Sequence, residues 1–411
     1  MPAAIRVSPA VARRFHRRAL LLDRPVATVG DALAHLGYVQ MDPINVCGRM
    51  HDLILRNRVA GYVEGGLGRH LHGNSGALPA EHRTAFEHHV PSTGILVAFP
   101  FEAWPHLLAA MQRRTHRHGA WSGKLTSRER GLSVRILAEI AARGPLSSDD
   151  IDDRRRSRQM VWGAFSLAKS TLQKLFFHGH LLIARRDENN RRLYDLPGRV
   201  LPPAVLRQPE PAKTDTARWE ALLKLRQRRL TTLKQSELPL VADRVQPVQV
   251  EGCPPLYCLR EDARLFDLPP GDVLVPAAQL LAPLDPLIYD RRLTSTLWRF
   301  DYTWEAYTPP AKRKRGHYAL PVLAGAELVG HVDARADRTT GRLCVLSRLI
   351  RRGHKIAPAL RELAGFLGLK SSPRPRRRLV PAARETAAGA STGPRQNLTS
   401  TPANAPAPSA G

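Results

Sequence analysis

Cysteine is scarce. The four residues Cys47, Cys253, Cys258 and Cys344 in a chain of 411 are too few for a disulfide framework, so a reducing cytoplasm is the expected compartment. Aromatic residues are thin at 6%. No uncharged apolar run approaches the ~18 residues that a membrane span requires. The opening MPAAIRVSPAVARRFHRRALLLDRP has no long apolar stretch and is not expected to act as a secretory signal. Neither a phosphate-binding glycine loop nor a cofactor box occurs, and no cofactor is expected. Cys253 and Cys258 have no nearby Cys or His pair in sequence to complete a zinc site, so no metal is expected either. The largest deficit is in acidic residues: 36 Asp and Glu stand against 63 Lys and Arg, for a net charge of +27. A folded body with that excess repels itself unless it meets a polyanion, with nucleic acid the first candidate and an anionic membrane surface the second. Membrane binding would need a long basic amphipathic helix with bulky apolar anchors, which the sequence lacks.

What is present is enough to fold. Apolar residues make up 43% of the chain, and the length suits two to three domains. The stretch 371–411 is rich in Pro, Ala, Ser and Thr and is expected to be disordered. Its six Arg and one Glu carry +5, and +27 less +5 leaves +22 on residues 1–370. The basic character therefore belongs to the folded part.

Local signals mark the elements. Ser8-Pro9 opens a helix to about residue 23, and Asp31 to Leu36 forms a second one that stops at Gly37. Asp42-Pro43 reads as a third helix start, with Asp42 at the cap. That helix would put Ile44, Cys47, Met50 and Ile54 on an apolar face, with Asn45, Arg49, His51, Arg56 and Arg58 opposite. Residues 128–200 give a helix at about 130–142, a short acidic-then-basic helix SSDDIDDRRRS, and a longer helix at about 159–178. A basic hairpin built from HLLIARR and RRLYDL follows. Three helices and then a hairpin is the order of a winged helix, whose third helix enters a DNA groove while its wing touches the backbone. From residue 272 the pattern turns to short strands, DVLVPA, TWEAYT, HYALPVLAGAELVGHVDARADR and RLCVL, with a last helix at about 357–368. On this reading Lys312, Arg313, Lys314 and Arg315 crown a hairpin tip between TWEAYT and HYALPVL.

Four segments occur in order over about residues 5–370: VQMDPINVCGRMHDLILRNRV, GPLSSDDI, TLQKLFFHGHLLIARRDENNRRLYDLPGRVLP, and APLDPLIYDRRLTSTLWRFDYTWEAYTPPAKRKRGHYALPVLAGAELVGHVDARADR. Together they resemble the YcaQ/AlkZ family of winged-helix DNA glycosylases, which act on bulky alkylated bases and interstrand crosslinks. The resemblance implies an α+β fold of tandem winged-helix motifs followed by a small barrel-like β-rich module. Expected divisions are an N-terminal region 5–125, a winged helix 126–205, a degenerate third winged-helix-like region 206–271, a β-rich module 272–370 and the tail. The family's Gln-x-Asp motif corresponds to Gln40-Met41-Asp42, which makes Gln40 and Asp42 the implied catalytic pair.

The chemistry fits those two residues. Removing a base from deoxyribose passes through an oxocarbenium-like sugar, so positive charge must be stabilised and water delivered to C1′. An Asp42 that caps a helix would be held ionised and act mainly through its charge, while Gln40 orients water with its amide. An N7-alkylguanine is already cationic and leaves without a general acid. No lysine nucleophile is identified, so simple hydrolysis is expected. From spacing alone Asp42 is equally an ordinary N-cap, and Asn45, Arg49, His51, Arg56 and Arg58 equally a solvated face. Phosphate contact is the alternative for those five. It is also the alternative to ordinary charged turns for Arg185, Arg186, Arg191 and Arg192 on the wing, and for Lys312 to Arg315, where a probe near the lesion is implied. The expected partner is damaged double-stranded DNA, bound by a monomer in the cytoplasm at the nucleoid. A non-enzymatic winged-helix regulator is the competing reading, but it would need a dimer interface and an effector pocket.

Overall fold

The computed structural model describes residues 1–74, 76–153, 155, 166–269 and 278–371. In chain order the first elements are β1 (Ile5–Val7), α1 (Pro9–Ala19), α2 (Val29–Leu36), β2 (Val39–Gln40), α3 (Met50–Leu55), α4 (Gly66–His72), β3 (Ala85–His89), β4 (Leu96–Pro100) and α5 (Trp104–His116). The middle contains α6 (Ser127–Arg143), α7 (Leu167–Phe177), β5 (Leu182–Arg186), β6 (Arg192–Asp195), α8 (Pro197–Val200), α9 (Pro203–Leu206), α10 (Lys213–Arg228), α11 (Leu238–Val241), β7 (Val245–Val250) and β8 (Leu256–Leu259). The last third holds β9 (Gln279–Leu280), α12 (Arg291–Trp298), β10 (Ala319–Ala324), β11 (Glu327–Asp337), β12 (Arg342–Ile350), α13 (Ala357–Phe366) and β13 (Lys370–Ser371).

Helix starts follow their caps. The Ser8 hydroxyl accepts from the Val11 N–H with Pro9 in the first turn, and Thr28 with Asp31 and Thr126 with Glu129 form reciprocal capping boxes. The helix expected at Asp42-Pro43 does not form. Gly48 sits at φ +110°, which an α-helix cannot pass through, so the chain loops from Met41 and α3 begins only at Met50. The short helix expected from Ser147 is a turn through residue 153, and the rest of that segment lies outside the described residues, as do Val161, Phe165, DVLVPA and the tail beyond Ser371. TWEAYT is a loop with a turn at its end, not a strand.

Strands gather into four sheets ordered β1-β7-β8, β2-β4-β3, β5-β6 and β13-β12-β11-β10-β9. The five-stranded sheet is antiparallel except at β13 and, with register shifts after Val322 and Asp333, curls into a half-barrel. Among the described residues, no helix is long and apolar enough to cross a membrane.

Two large cores meet at the small sheet β2-β4-β3. One joins Ala12 through Ala98 to Ala278 through Leu367, and the other joins Tyr38 and Phe86 through Met111 to α6, α7 and β5. Strand alternation divides β2 between them: Val39 and Met41 enter the first core, and Tyr38 enters the second. Gln40 shares the parity of Tyr38 and so lies on the face toward α7 and the β5–β6 hairpin.

α7 is not free to read a groove. From Leu167 to Phe177 only Lys169 is exposed and Ser170 half-buried, and Lys174 is fully buried against Glu129 at 2.8 Å. The helix expected to enter DNA is instead a core element that supports β5–β6.

Candidate active site

β2 delivers the motif to the junction of the cores. Gln40 pairs with Val97 of β4, its side chain is buried, and its Oε1 has no hydrogen-bond partner among the described residues. Buried acceptors are nearly always satisfied, so an unpartnered carbonyl oxygen here is a group available to a ligand. Asp42 is half-buried just past the strand, and its Oδ1 accepts the Ile44 N–H at 2.9 Å. Burial pushes the Asp42 carboxyl above its ordinary value, and the Ile44 hydrogen bond only partly opposes this. The expectation of a carboxylate held ionised by a helix end is therefore corrected. With no helix at Pro43 there is no dipole to hold it, and desolvation makes it a stronger base.

Asp42 shares a small cleft with His51, Leu96, Arg186, Asn190 and Arg192, walled also by Met41 and Pro43. His51 is buried. Burial lowers its pKa, Asp52 opposes, and Arg49 and Arg186 reinforce the lowering. Burial thus favours the neutral ring, and its Nδ1 lacks a partner among the described residues.

The β5–β6 hairpin thus stands beside the motif. Arg186 Nε donates to the Glu87 carboxylate at 2.9 Å, and its Nη2 makes a second contact to the same group. His72 Nε2 completes the arrangement at 2.8 Å from Glu87 Oε1. Burial alone would raise the Glu87 pKa, but Arg186 and His72 outweigh it and hold the carboxyl well below the usual range. Arg192 lies over the Phe176 ring at 6.0 Å. Arg191 pairs with Asp187 at 2.8 Å and with Asp149. Arg185 faces a different cleft, shared with His72, Asn74 and Glu188.

The face opposite Ile44 is only partly what the spacing implied. Asn45 is exposed, its Oδ1 accepting from Gly48 N–H at 3.2 Å, and Arg49 is half-buried. Arg56 and Arg58, expected in solvent, are not there. The Arg58 side chain has no exposed surface and clasps Asp285 through two contacts of 2.8 and 2.7 Å. Arg56 is buried over the Phe366 ring at 5.7 Å and near Glu362 at 3.9 Å. Both bind this segment to the C-terminal third, and neither can reach a phosphate in this arrangement.

The basic run at 312–315 is not a hairpin tip, because its first flank is no strand. Glu305 Oε2 accepts the backbone N–H of Arg315 at 2.8 Å and of Gly316 at 3.1 Å, folding residues 301–316 into a tied loop. Gly316, at φ +124°, is required there: a Cβ would lie 2.0 Å from Asp333 Oδ2. Arg313 donates to the Thr308 carbonyl at 2.7 Å and Arg315 to that of Asp301 at 2.6 Å, whereas Lys312 and Lys314 are exposed. Burial raises the hydroxyl pKa of Tyr307, and the Asp42 charge adds to this to a smaller degree.

Glu87, Asn190 and Tyr307 were not singled out by the sequence. Glu87 and Arg186 are 99 positions apart, so no local spacing joins them. Tyr307 sat in a run whose alternation reads as a strand.

A family model described as DNA glycosylase AlkZ-like matches residues 33–368. Among solved structures, the Streptomyces sahachiroi DNA glycosylase AlkZ superposes with a TM-score of 0.59 at 16% identity, over 90% of this chain and 100% of that one. At that identity the likeness speaks for the fold.

Proposed function

The chain belongs to the AlkZ-like DNA glycosylase family and is a DNA-repair glycosylase, and from that premise we propose that it hydrolyses the N-glycosidic bond of bulky or cationic alkylated purines of the N7-alkylguanine type, crosslinked ones included. Gln40 and Asp42 are the residues that act. The observation that carries this is the meeting, in one cleft, of a desolvated carboxylate with two arginines of the β5–β6 hairpin, directly after a buried glutamine with an unpartnered carbonyl oxygen.

On this reading Asp42 accepts the proton of the attacking water and its charge stabilises the cationic sugar, and Gln40 Oε1 orients that water. The alkylated base departs without protonation. We read α6, α7 and β5–β6 as a winged helix turned to this purpose, with α7 as its internal support and the wing as its contact with DNA. Arg186 and Arg192 would take the phosphates flanking the lesion, with Asn45, Arg49 and His51 on the other side of Asp42. Arg185 and Arg191 would contact phosphates further along, and the Lys312–Arg315 loop would probe the duplex near the lesion. The substrate is damaged double-stranded DNA, and the protein acts on it as a monomer without a cofactor.

The test is single-turnover base release from a duplex containing N7-methylguanine, read as alkali-labile sites at saturating protein. Asp42→Asn should lose at least ~100-fold in rate while keeping DNA affinity. In the wild type, the rate should decline toward acid from a pH above the ordinary aspartate range, because a raised pKa protonates the base sooner as pH falls. No labile sites from the wild-type protein would overturn the substrate assignment, and a wild-type rate in Asp42→Asn would remove Asp42 from the mechanism.

A further inference from the structure

Tyr307 is 75% exposed, in a region where most large side chains are covered. A lone exposed aromatic is ordinary on a protein surface, but three features set this one apart. Its backbone is rigid: the Thr308 N–H donates to the Glu305 carbonyl at 3.0 Å, Arg313 holds the Thr308 carbonyl from the other side, and Pro309-Pro310 follow. Its ring is supported: Trp304 stands edge-on at 5.7 Å, and Trp304 in turn stands edge-on to the buried Tyr318 at 6.1 Å, so the three form a stack anchored in the core. Its position is the third: Trp304 and Tyr318 pack in the same core as Met41, the residue before Asp42, and the Ala336 N–H donates to the Val46 carbonyl at 2.8 Å, tying the segment after Asp42 to the same module.

We infer that Tyr307 is a wedge that enters the base stack at the lesion and fills the space left when the damaged nucleotide turns toward Asp42. This rests on the assignment of Asp42 as the catalytic carboxylate. A glycosylase must pull its target from the duplex, and the resulting gap loses stacking on both sides. An aromatic face in the gap restores part of that stacking in a sequence-tolerant way. A side chain already immobilised by its turn and by Trp304 gives up little further freedom on insertion. Lys312 and Lys314, exposed on the same loop, carry the charge that would bring it to the backbone.

The experiment measures binding without chemistry. Wild type, Tyr307→Ala, Tyr307→Phe and Asp42→Asn are titrated against an intact duplex and against the same duplex with a tetrahydrofuran abasic analogue, which offers the gap ready-made. Wild type should prefer the analogue, and Tyr307→Ala should lose about tenfold of that preference with intact-duplex affinity and melting temperature unchanged. Tyr307→Phe and Asp42→Asn should retain it. An absent preference in wild type, a full preference in Tyr307→Ala, or a loss in Tyr307→Phe equal to that in Tyr307→Ala would overturn the wedge. Failure of the catalytic assignment appears elsewhere, as undiminished base release by Asp42→Asn.

Discussion

Around the tip of the β5–β6 hairpin, three of four arginines are held by the protein itself: Arg186 by Glu87, Arg191 by Asp187 and Asp149, and Arg192 over Phe176. In the loop at 312–315 the four charges divide by alternation. Arg313 and Arg315 bind the loop's own carbonyls, and Lys312 and Lys314 make no ion pair among the described residues. Both segments carry four basic side chains, spread around Asp187 and Glu188 in the hairpin and consecutive in the loop, and they use them differently. Affinity for DNA grows with counterions released from phosphates, and a guanidinium already satisfied by a carboxylate has less to contribute. What Arg186 contributes is placement: a planar cation fixed by two contacts and presented beside Asp42. The loop contributes exposed lysines on a tied frame. The same chemistry explains why Arg56 and Arg58 lie inside the protein.

The sharpest way to break the comparison is to remove the anchor of the β5–β6 hairpin. Glu87→Ala leaves His72 and a mostly buried Arg186 without their partner, and losing one side of a buried pair costs about 3–5 kcal/mol. Arg186 can swing partly into solvent, so the low end is expected. Chemical denaturation reads this directly, and an unchanged unfolding midpoint would show that Glu87 does not hold the wing. The pH dependence follows with its sign. The folded-state pKa of Glu87 is depressed, so its contribution is complete above the ordinary glutamate range. It fades as pH falls from about 4.5 through the lowered value, and this acid-side loss should vanish from the stability curve of Glu87→Ala.

Next in size is the contrast inside the loop. Lys312→Ala with Lys314→Ala should keep the melting temperature, lower the saturated single-turnover rate about tenfold, and flatten the log–log salt slope of binding by about two. Arg313→Ala with Arg315→Ala should instead lower the melting temperature, because those side chains close the loop. A rate that holds while affinity falls would make the lysines plain phosphate contacts, and equal melting losses in the two pairs would erase the distinction between frame and contact.

The sequence carried the local part of this arrangement. Ser8 marks its helix start because a cap needs only a few neighbouring residues, whereas α2 and α6 begin earlier than expected, at the capping boxes of Thr28 and Thr126, and β10 to β12 are legible from their alternation and turn glycines. Gln40 and Asp42 were singled out through a resemblance, and strand parity turns Gln40 to the same side of β2 as Tyr38. The failures share one cause. Arg58 meets Asp285 across 227 positions, and Glu87 meets Arg186 across 99. No window of sequence contains both partners, so a stripe of arginines reads as solvated when its counter-ions come from elsewhere. TWEAYT has the period of a strand, but Glu305 turns inward to bind the amides of Arg315 and Gly316, and the period is overruled by that tie. Asp42-Pro43 has the composition of a helix start, and Gly48 prevents the helix six residues later.

The smallest expected effect belongs to the outer edge of the wing. Arg185 has no acidic partner among the described residues and faces a cleft separate from that of Asp42. Arg191 is exposed but already bound to two aspartates, so reaching a phosphate means exchanging one anion for another. Each phosphate contact contributes about 0.9 to the salt slope on a duplex, so two unpaired arginines would change it by nearly two. With Arg191 largely satisfied at home, Arg185→Ala with Arg191→Ala should flatten the slope by about one. The saturated base-release rate should not move, because contacts away from the lesion bind ground and transition state alike. Binding to undamaged duplex between low and moderate salt measures the slope. A change near two would show that Arg191 leaves Asp187 and Asp149 for DNA, and the wing would then resemble the loop in spending its charge on phosphate.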